Sequence, residues 1–254
     1  MNAKKMIAIG AAALCGTVFA DVTSANIVGY QSSDFTDKIG SMAITGVMFQ
    51  NTTGAELDIQ NIKLSDEMPA DGSTYMMYWD GYWVQPYWVE LQDVDGNPAG
   101  WGDFANWEKV NKVFFLGEAF FLSPSDASAT AGVTVAGQVY SCPEQYGAIL
   151  LTKGSMDFVS PVFPTAEYDV QSFKLCDNVP PDGSSYIMYW EGYWIQPYWV
   201  ELQDVDGNPA GWGDFANWEK VEKTFRAGEG FFACASDACG DLDAEILFPN
   251  PLAK

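Results

Sequence analysis

The chain of 254 residues carries 34 acidic and 12 basic side chains and no histidine, a formal net charge of −22 at pH 7. Nucleic acid and anionic lipid are attracted by basic patches, so a surface of this sign excludes both as expected partners. With 48% hydrophobic and 15% aromatic residues, the chain is too apolar for a disordered one.

Residues 1–20 read as a secretory signal peptide. Lys4 and Lys5 form the basic start, Met6 to Leu14 the apolar stretch, and Val18-Phe19-Ala20 a cleavage site after Ala20. Cys15 does not fit a lipobox, because bulky Leu14 precedes it. Cleavage removes two lysines and no acids, leaving 10 − 34 = −24 on the side chains. No later stretch reaches the ~18 apolar residues of a membrane span. The expected product is secreted or held at the cell surface, and does not span the membrane.

The rest of the chain is a duplication. Lys63-Leu64 recurs as Lys174-Leu175, an offset of 174 − 63 = 111. The same offset carries Asp58-Ile59-Gln60 onto Asp169-Val170-Gln171, and Gly117-Glu118-Ala119-Phe120-Phe121 onto Gly228-Glu229-Gly230-Phe231-Phe232. Residues 21–139 form copy one and 140–254 copy two. Gly81 to Val110 matches Gly192 to Val221 but for Val84 against Ile195. Constraint and gene conversion both produce such identity, so identity alone marks no site.

Tyr75-Met76-Met77-Tyr78-Trp79, Asp80-Gly81 and Tyr82-Trp83-Val84-Gln85 predict a hairpin with a two-residue type I′ turn. In that register Trp79 faces Tyr82 and Tyr78 faces Trp83. Glu191-Gly192 in copy two suits the turn less well. Tyr87 to Leu91 predicts a further strand, Asp93 to Gly100 a turn-rich loop, and Asp103 to Lys112 the one weak helix candidate. Val113 to Leu122 and Phe225 to Ala233 read as strands interrupted by Gly117 and Gly228, and Val133-Thr134-Val135 closes copy one. Short strands at this spacing predict an all-β fold, two tandem copies of a small β-sandwich or barrel-like module.

Asn26-Ile27-Val28-Gly29-Tyr30 after the leader, the Trp-Asp-Gly-Tyr-Trp hairpin and the Gly-Glu-x-Phe-Phe strand together resemble a group of uncharacterised secreted bacterial β-repeat proteins. The resemblance implies export and a β-rich fold, and no activity.

The four cysteines beyond the leader, Cys142, Cys176, Cys234 and Cys239, all fall in copy two, where copy one has Ser65, Ser123 and Ser128 at the last three places. An even count in an exported chain predicts two disulfides, with Cys234–Cys239 and Cys176–Cys234 both open as pairings. A zinc site fits less well, since there is no histidine and no Cys-x-x-Cys.

Asp93-Val94-Asp95-Gly96-Asn97 resembles the opening of an EF-hand loop, but Pro98 stands where that loop needs glycine and Phe104 where it needs glutamate. A different calcium loop would use Asp93, Asp95, Asn97 and Asp103, repeated at Asp204, Asp206, Asn208 and Asp214. An ordinary polar turn accounts for the same residues, and no metal or cofactor is expected. Without histidine the usual base for serine and cysteine nucleophiles is missing. Glu90 and Glu201, or a loop aspartate, are the carboxylate candidates for glycoside hydrolysis, although nothing singles one out.

All ten tryptophans lie in two windows, Trp79 to Trp107 and Trp190 to Trp218. Aromatic rings on a rigid sheet suit sugar binding through CH–π contact, and they also fill small cores. A hairpin with aromatics on both faces leaves some of them either exposed or buried between the two copies. The expected site is Tyr78, Trp79, Tyr82 and Trp83, with Tyr189, Trp190, Tyr193 and Trp194 in copy two. The expected function is non-enzymatic binding of extracellular or envelope glycan, with a structural or assembly role against a cell-surface protein as the alternative.

Overall fold

The computed structural model describes residues 28–50, 56–126, 128, 130–140, 144–163, 167–226, 228–237, 240, 242–251 and 253. Residues 1–20, read above as a leader, and Cys142 and Cys239 lie outside the described residues. Copy one supplies β1 Val28–Asp34, β2 Ala43–Gly46, β3 Phe49–Gln50, β4 Glu56–Asp58, β5 Ile62–Leu64, β6 Asp71–Trp79, β7 Trp83–Val84, β8 Tyr87–Glu90, β9 Ala99–Gly102, β10 Val113–Phe115, β11 Ala119–Ser123 and β12 Gly132–Val139. Copy two supplies β13 Tyr146–Leu151, β14 Met156–Val159, β15 Glu167–Asp169, β16 Lys174–Leu175, β17 Asp182–Trp190, β18 Trp194–Ile195, β19 Tyr198–Glu201, β20 Ala210–Gly213, β21 Thr224–Arg226, β22 Phe231–Cys234 and β23 Ala244–Pro249.

The protein is all-β, as the strand spacing predicts. In copy one a large sheet runs β2-β11-β6-β8-β9 with β7 on β6, a smaller one runs β1-β12-β3 with β5 on β12, and β4 pairs β10. Copy two repeats this as β14-β22-β17-β19-β20 with β18 on β17, then β13-β23-β16, then β15-β21. Every ladder is antiparallel. Side chains alternate across each strand, so one face of each sheet turns inward. Met76 and Tyr78 of β6, Phe120 and Leu122 of β11, Ile62 and Leu64 of β5 and Val133 and Val135 of β12 meet in one buried core. Ile187, Tyr189, Phe231, Leu175, Ile246 and Phe248 build its counterpart in copy two.

A buried polar clamp holds each core closed. Asp58 caps the 3-10 turn Ile59–Asn61, its Oδ1 accepting from Gln60 N at 2.8 Å. The Gln60 amide then donates to Trp101 O and Val110 O at 2.7 and 3.0 Å, and its Oε1 accepts from Trp101 N at 3.0 Å. Trp101 is fully buried, and its indole N–H donates to Ile62 O at 2.8 Å. Gln171 and Trp212 repeat every one of these bonds. A buried indole or amide is tolerated only when its polar atoms are paired in this way.

Two expectations fail. Residues 103–112 form turns and a bridge of Gly102 to Lys109, not a helix. Asp103 Oδ1 accepts from Asn106 N at 2.8 Å, and Trp107 sits at φ 58, a conformation that ends any helical run. Cys176 and Cys234 are free thiols, so neither of the two expected disulfide pairings, both of which use Cys234, is formed. They belong to different sheets, Cys176 just after β16 and Cys234 at the end of β22. The Cys176 thiol instead donates to Asp243 O at 3.6 Å and accepts from Glu245 N at 3.3 Å.

The copies join through their large sheets. Gly46 N donates to Gly228 O at 2.9 Å, Gly230 N to Ile44 O at 3.1 Å, and Ser160 N to Gly117 O at 2.8 Å. Ile44, Ala119, Phe158 and Phe232 form a buried cluster across this junction, with Phe121 and Met188 packed against it.

Candidate functional site

The hairpin forms with a different register from the predicted one. Trp79 pairs Trp83 and Tyr78 pairs Val84, so Asp80, Gly81 and Tyr82 make a three-residue loop. Asp80 N donates to Tyr82 O at 2.9 Å, and only Gly81, at φ 75, takes the left-handed conformation. Glu191 therefore replaces Asp80 without strain, since Gly192 alone carries positive φ there.

This register sorts the eight expected site residues. Trp79, Tyr82 and Trp83 are 52%, 67% and 45% exposed, and Trp190, Tyr193 and Trp194 are 40%, 65% and 45% exposed. Tyr78 and Tyr189 are buried, at 3% and 2%, and are corrected from ligand contacts to core residues. They fall on the inward face of β6 and β17, one step along the alternation from the exposed tryptophans.

Each buried tyrosine lies under a lysine. Lys112 Nζ stands 5.2 Å over the Tyr78 ring and 5.1 Å over Phe114, and pairs with Glu118 at 2.9 Å. Lys223 does the same over Tyr189 and Phe225, held by Glu229 at 2.8 Å and Glu191 at 2.9 Å. Burial, with Asp80, Tyr82 and Glu118 adding to it, pushes the Tyr78 phenol up to about 12. Burial first and then Glu191 push Tyr189 in the same direction. These groups brace the underside of the hairpin.

Above them the rings run in continuous contact from one copy to the other. Trp79 meets Trp83 edge-on at 5.4 Å, and Trp83 meets Phe121 at 5.8 Å. Phe121 meets Phe158 at 4.8 Å, and Phe158 stacks on Phe232 at 4.4 Å. Phe232 meets Trp194 at 5.7 Å, and Trp194 meets Trp190 at 5.2 Å. Buried Phe158 and Phe232 and half-buried Phe121 pack between the exposed indoles at the two ends. A second row lies on the same outward face of the large sheet, where Phe104 meets Tyr87 at 5.2 Å and Tyr87 meets Tyr75 at 5.9 Å. Gln85 Nε2 donates to the Tyr87 hydroxyl at 2.8 Å. Phe215, Tyr198 and Tyr186 repeat the row in copy two.

The loop carboxylates have structural work. Asp93 Oδ1 accepts from Lys109 N and Asp204 Oδ1 from Lys220 N, at 2.8 and 2.9 Å. Asp214 Oδ1 accepts from Asn217 N at 2.9 Å, as Asp103 does in copy one. Among the described residues no three acidic or cysteine side chains converge on a common point. Glu90 and Glu201 end equivalent strands of two different sheets.

Several site residues escape the sequence reading. Phe104 and Phe215, 74% and 76% exposed, lie in the stretch read as a helix or polar loop. A large apolar residue inside such a loop was the available signal. Phe121, Phe158 and Phe232 come together only through the junction of the copies, which no local pattern encodes. No protein-family model, curated protein or solved structure matches this chain.

Proposed function

We propose that the protein is an exported, non-enzymatic binding module for extracellular or envelope glycan. The observation that carries this reading is the pair of exposed, edge-packed indoles at each hairpin, Trp79 with Trp83 and Trp190 with Trp194. A sugar ring offers C–H bonds that pack against an indole face, and a preset indole costs little entropy to engage. The tip residues Tyr82 and Tyr193 and the polar Asp80, Gln85 and Gln196 neighbour the rings along the hairpins and offer hydroxyl, carboxylate and amide partners. These polar groups break up the apolar surface, which favours sugar over the broad apolar patch of a protein assembly contact. Two linked sites raise apparent affinity for a polymer through effective concentration, by about 10²–10⁴ when both engage. A glycan array probed with the leaderless protein tests the proposal. Selective binding of related oligosaccharides supports it, and a blank array alongside self-association turns the reading to surface assembly.

A further inference from the structure

The two copies are not equivalent around their tryptophans. A groove of about 680 Å³ opens where the start of copy one meets the hairpin of copy two, and Trp190 forms part of its wall. The chain's single arginine, Arg226, lines the same groove, and the 111-residue offset puts Phe115 in its place in copy one. Three cations line the groove in all. Lys38 lies 3.3 Å from Asp37, and Lys223 is clamped by Glu191 and Glu229. Arg226 is exposed and has no ion pair among the described residues, in a chain with 34 acidic side chains.

Four of the five acids that line the groove make close contacts of their own. Asp34 Oδ1 accepts from Thr36 N at 3.0 Å and from its hydroxyl at 2.6 Å, and Glu229 also accepts from Arg226 N at 3.0 Å. Asp37 and Glu191 hold the lysines, and Glu167 stands across the ladder from Arg226. The same groove thus presents one guanidinium that has no ion pair among the described residues, with Glu167 on the neighbouring strand, and one exposed indole. A guanidinium fork matches a carboxylate through two parallel N–H donors, while an indole matches the ring that bears it.

Resting on the glycan reading, we infer that this groove is the copy-two seat for a sugar unit bearing a carboxylate, with Trp190 under the ring and Arg226 on the acid group. Copy one, with Phe115 at that position, takes neutral units. A single polymer with spaced uronic acid residues then satisfies both copies, and the net negative surface selects against ligands more densely charged.

Calorimetric titration of the protein without residues 1–20 tests this with a xylo-oligosaccharide bearing one glucuronic acid unit, its methyl ester and the unsubstituted neutral xylo-oligosaccharide. The acid is expected to bind about tenfold or more tighter than its ester, as a charge-assisted bidentate pair implies. Arg226→Gln removes that difference and leaves ester and neutral binding unchanged. Trp190→Ala weakens the acid, whereas Trp79→Ala preserves the preference for it. Equal binding of acid and ester, or a preference that survives Arg226→Gln, overturns the inference while neutral binding keeps the glycan reading. If no saccharide binds, both fall together.

Discussion

Gly46 of copy one approaches Ser160 of copy two so closely that a Cβ on Gly46 would stand 1.9 Å from the Ser160 Cβ and 2.0 Å from its hydroxyl oxygen. Both residues lie at the junction where the large sheets exchange backbone hydrogen bonds, and the Ser160 hydroxyl is buried without a hydrogen-bond partner among the described residues. The account expects Gly46→Ala to destabilise the protein by about 1–3 kcal/mol through overpacking. Ser160→Gly on that background should recover much of the loss, because it removes the atoms in conflict. A double-mutant cycle by urea denaturation measures the coupling, and additive effects would mean the copies are not pressed together here.

The exposed and buried tryptophans should respond differently in kind. Trp101→Ala and Trp212→Ala each empty a fully buried indole site and orphan a carbonyl, at a cost of about 3–5 kcal/mol. Trp83→Ala and Trp194→Ala remove half-exposed rings and should cost about 1 kcal/mol or less. Thermal melts separate the two classes.

Gln60 makes three hydrogen bonds that tie β9 and Val110 to the 3-10 turn. Gln60→Leu keeps the volume but leaves Trp101 N and two carbonyls without their partner, so about 2–4 kcal/mol should be lost. Gln60→Glu is expected to be no better, because it replaces the two-bond donor with an acceptor. Chemical denaturation of both variants checks this.

Much of the fold was legible and the register was not. Asp80-Gly81 has the composition of a two-residue turn, yet Tyr82 joins the loop because Trp79 and Trp83 pair edge to edge. That one-residue difference puts Trp83 and Trp194 on the outward face with Trp79 and Trp190 instead of opposite the buried Tyr78 and Tyr189, which composition alone could not decide. The tandem copies were readable from the 111-residue offset, whereas the Phe121–Phe158–Phe232 cluster joins residues far apart in sequence. Asp103 to Lys112 carries helix-forming residues, and tertiary contacts such as that of Asp93 with Lys109 N override them.

The raised phenols give a test at high pH. Tyr78 is held protonated in the fold up to about 12. A group with a raised folded pKa contributes stability below its unfolded value, near 10, and that contribution is lost as pH rises through the folded value. Stability should therefore fall between about pH 10 and 12, and Tyr78→Phe should flatten the fall. Urea midpoints across that range measure it, with no difference between variant and parent counting against the buried site.

Burial also raises the Asp157 carboxyl, so its charged form is disfavoured in the fold. Its stabilising effect is complete below the unfolded carboxylate value and lost as pH climbs through the folded one. Asp157→Asn should thus be more stable than the parent at neutral pH, with the gap closing in acid. Denaturation midpoints at the two pH extremes decide the sign.

Whether the hairpin indoles are a sugar-binding surface rather than core is decided by one paired measurement on the protein without residues 1–20. Trp83→Ala and Trp194→Ala are combined, and both affinity for the best array glycan and melting temperature are recorded. The account predicts a loss of binding of at least about tenfold with a melting temperature within a few degrees of the parent, as for rings that leave no cavity behind. Unchanged affinity, or unfolding that accompanies the loss, would contradict it.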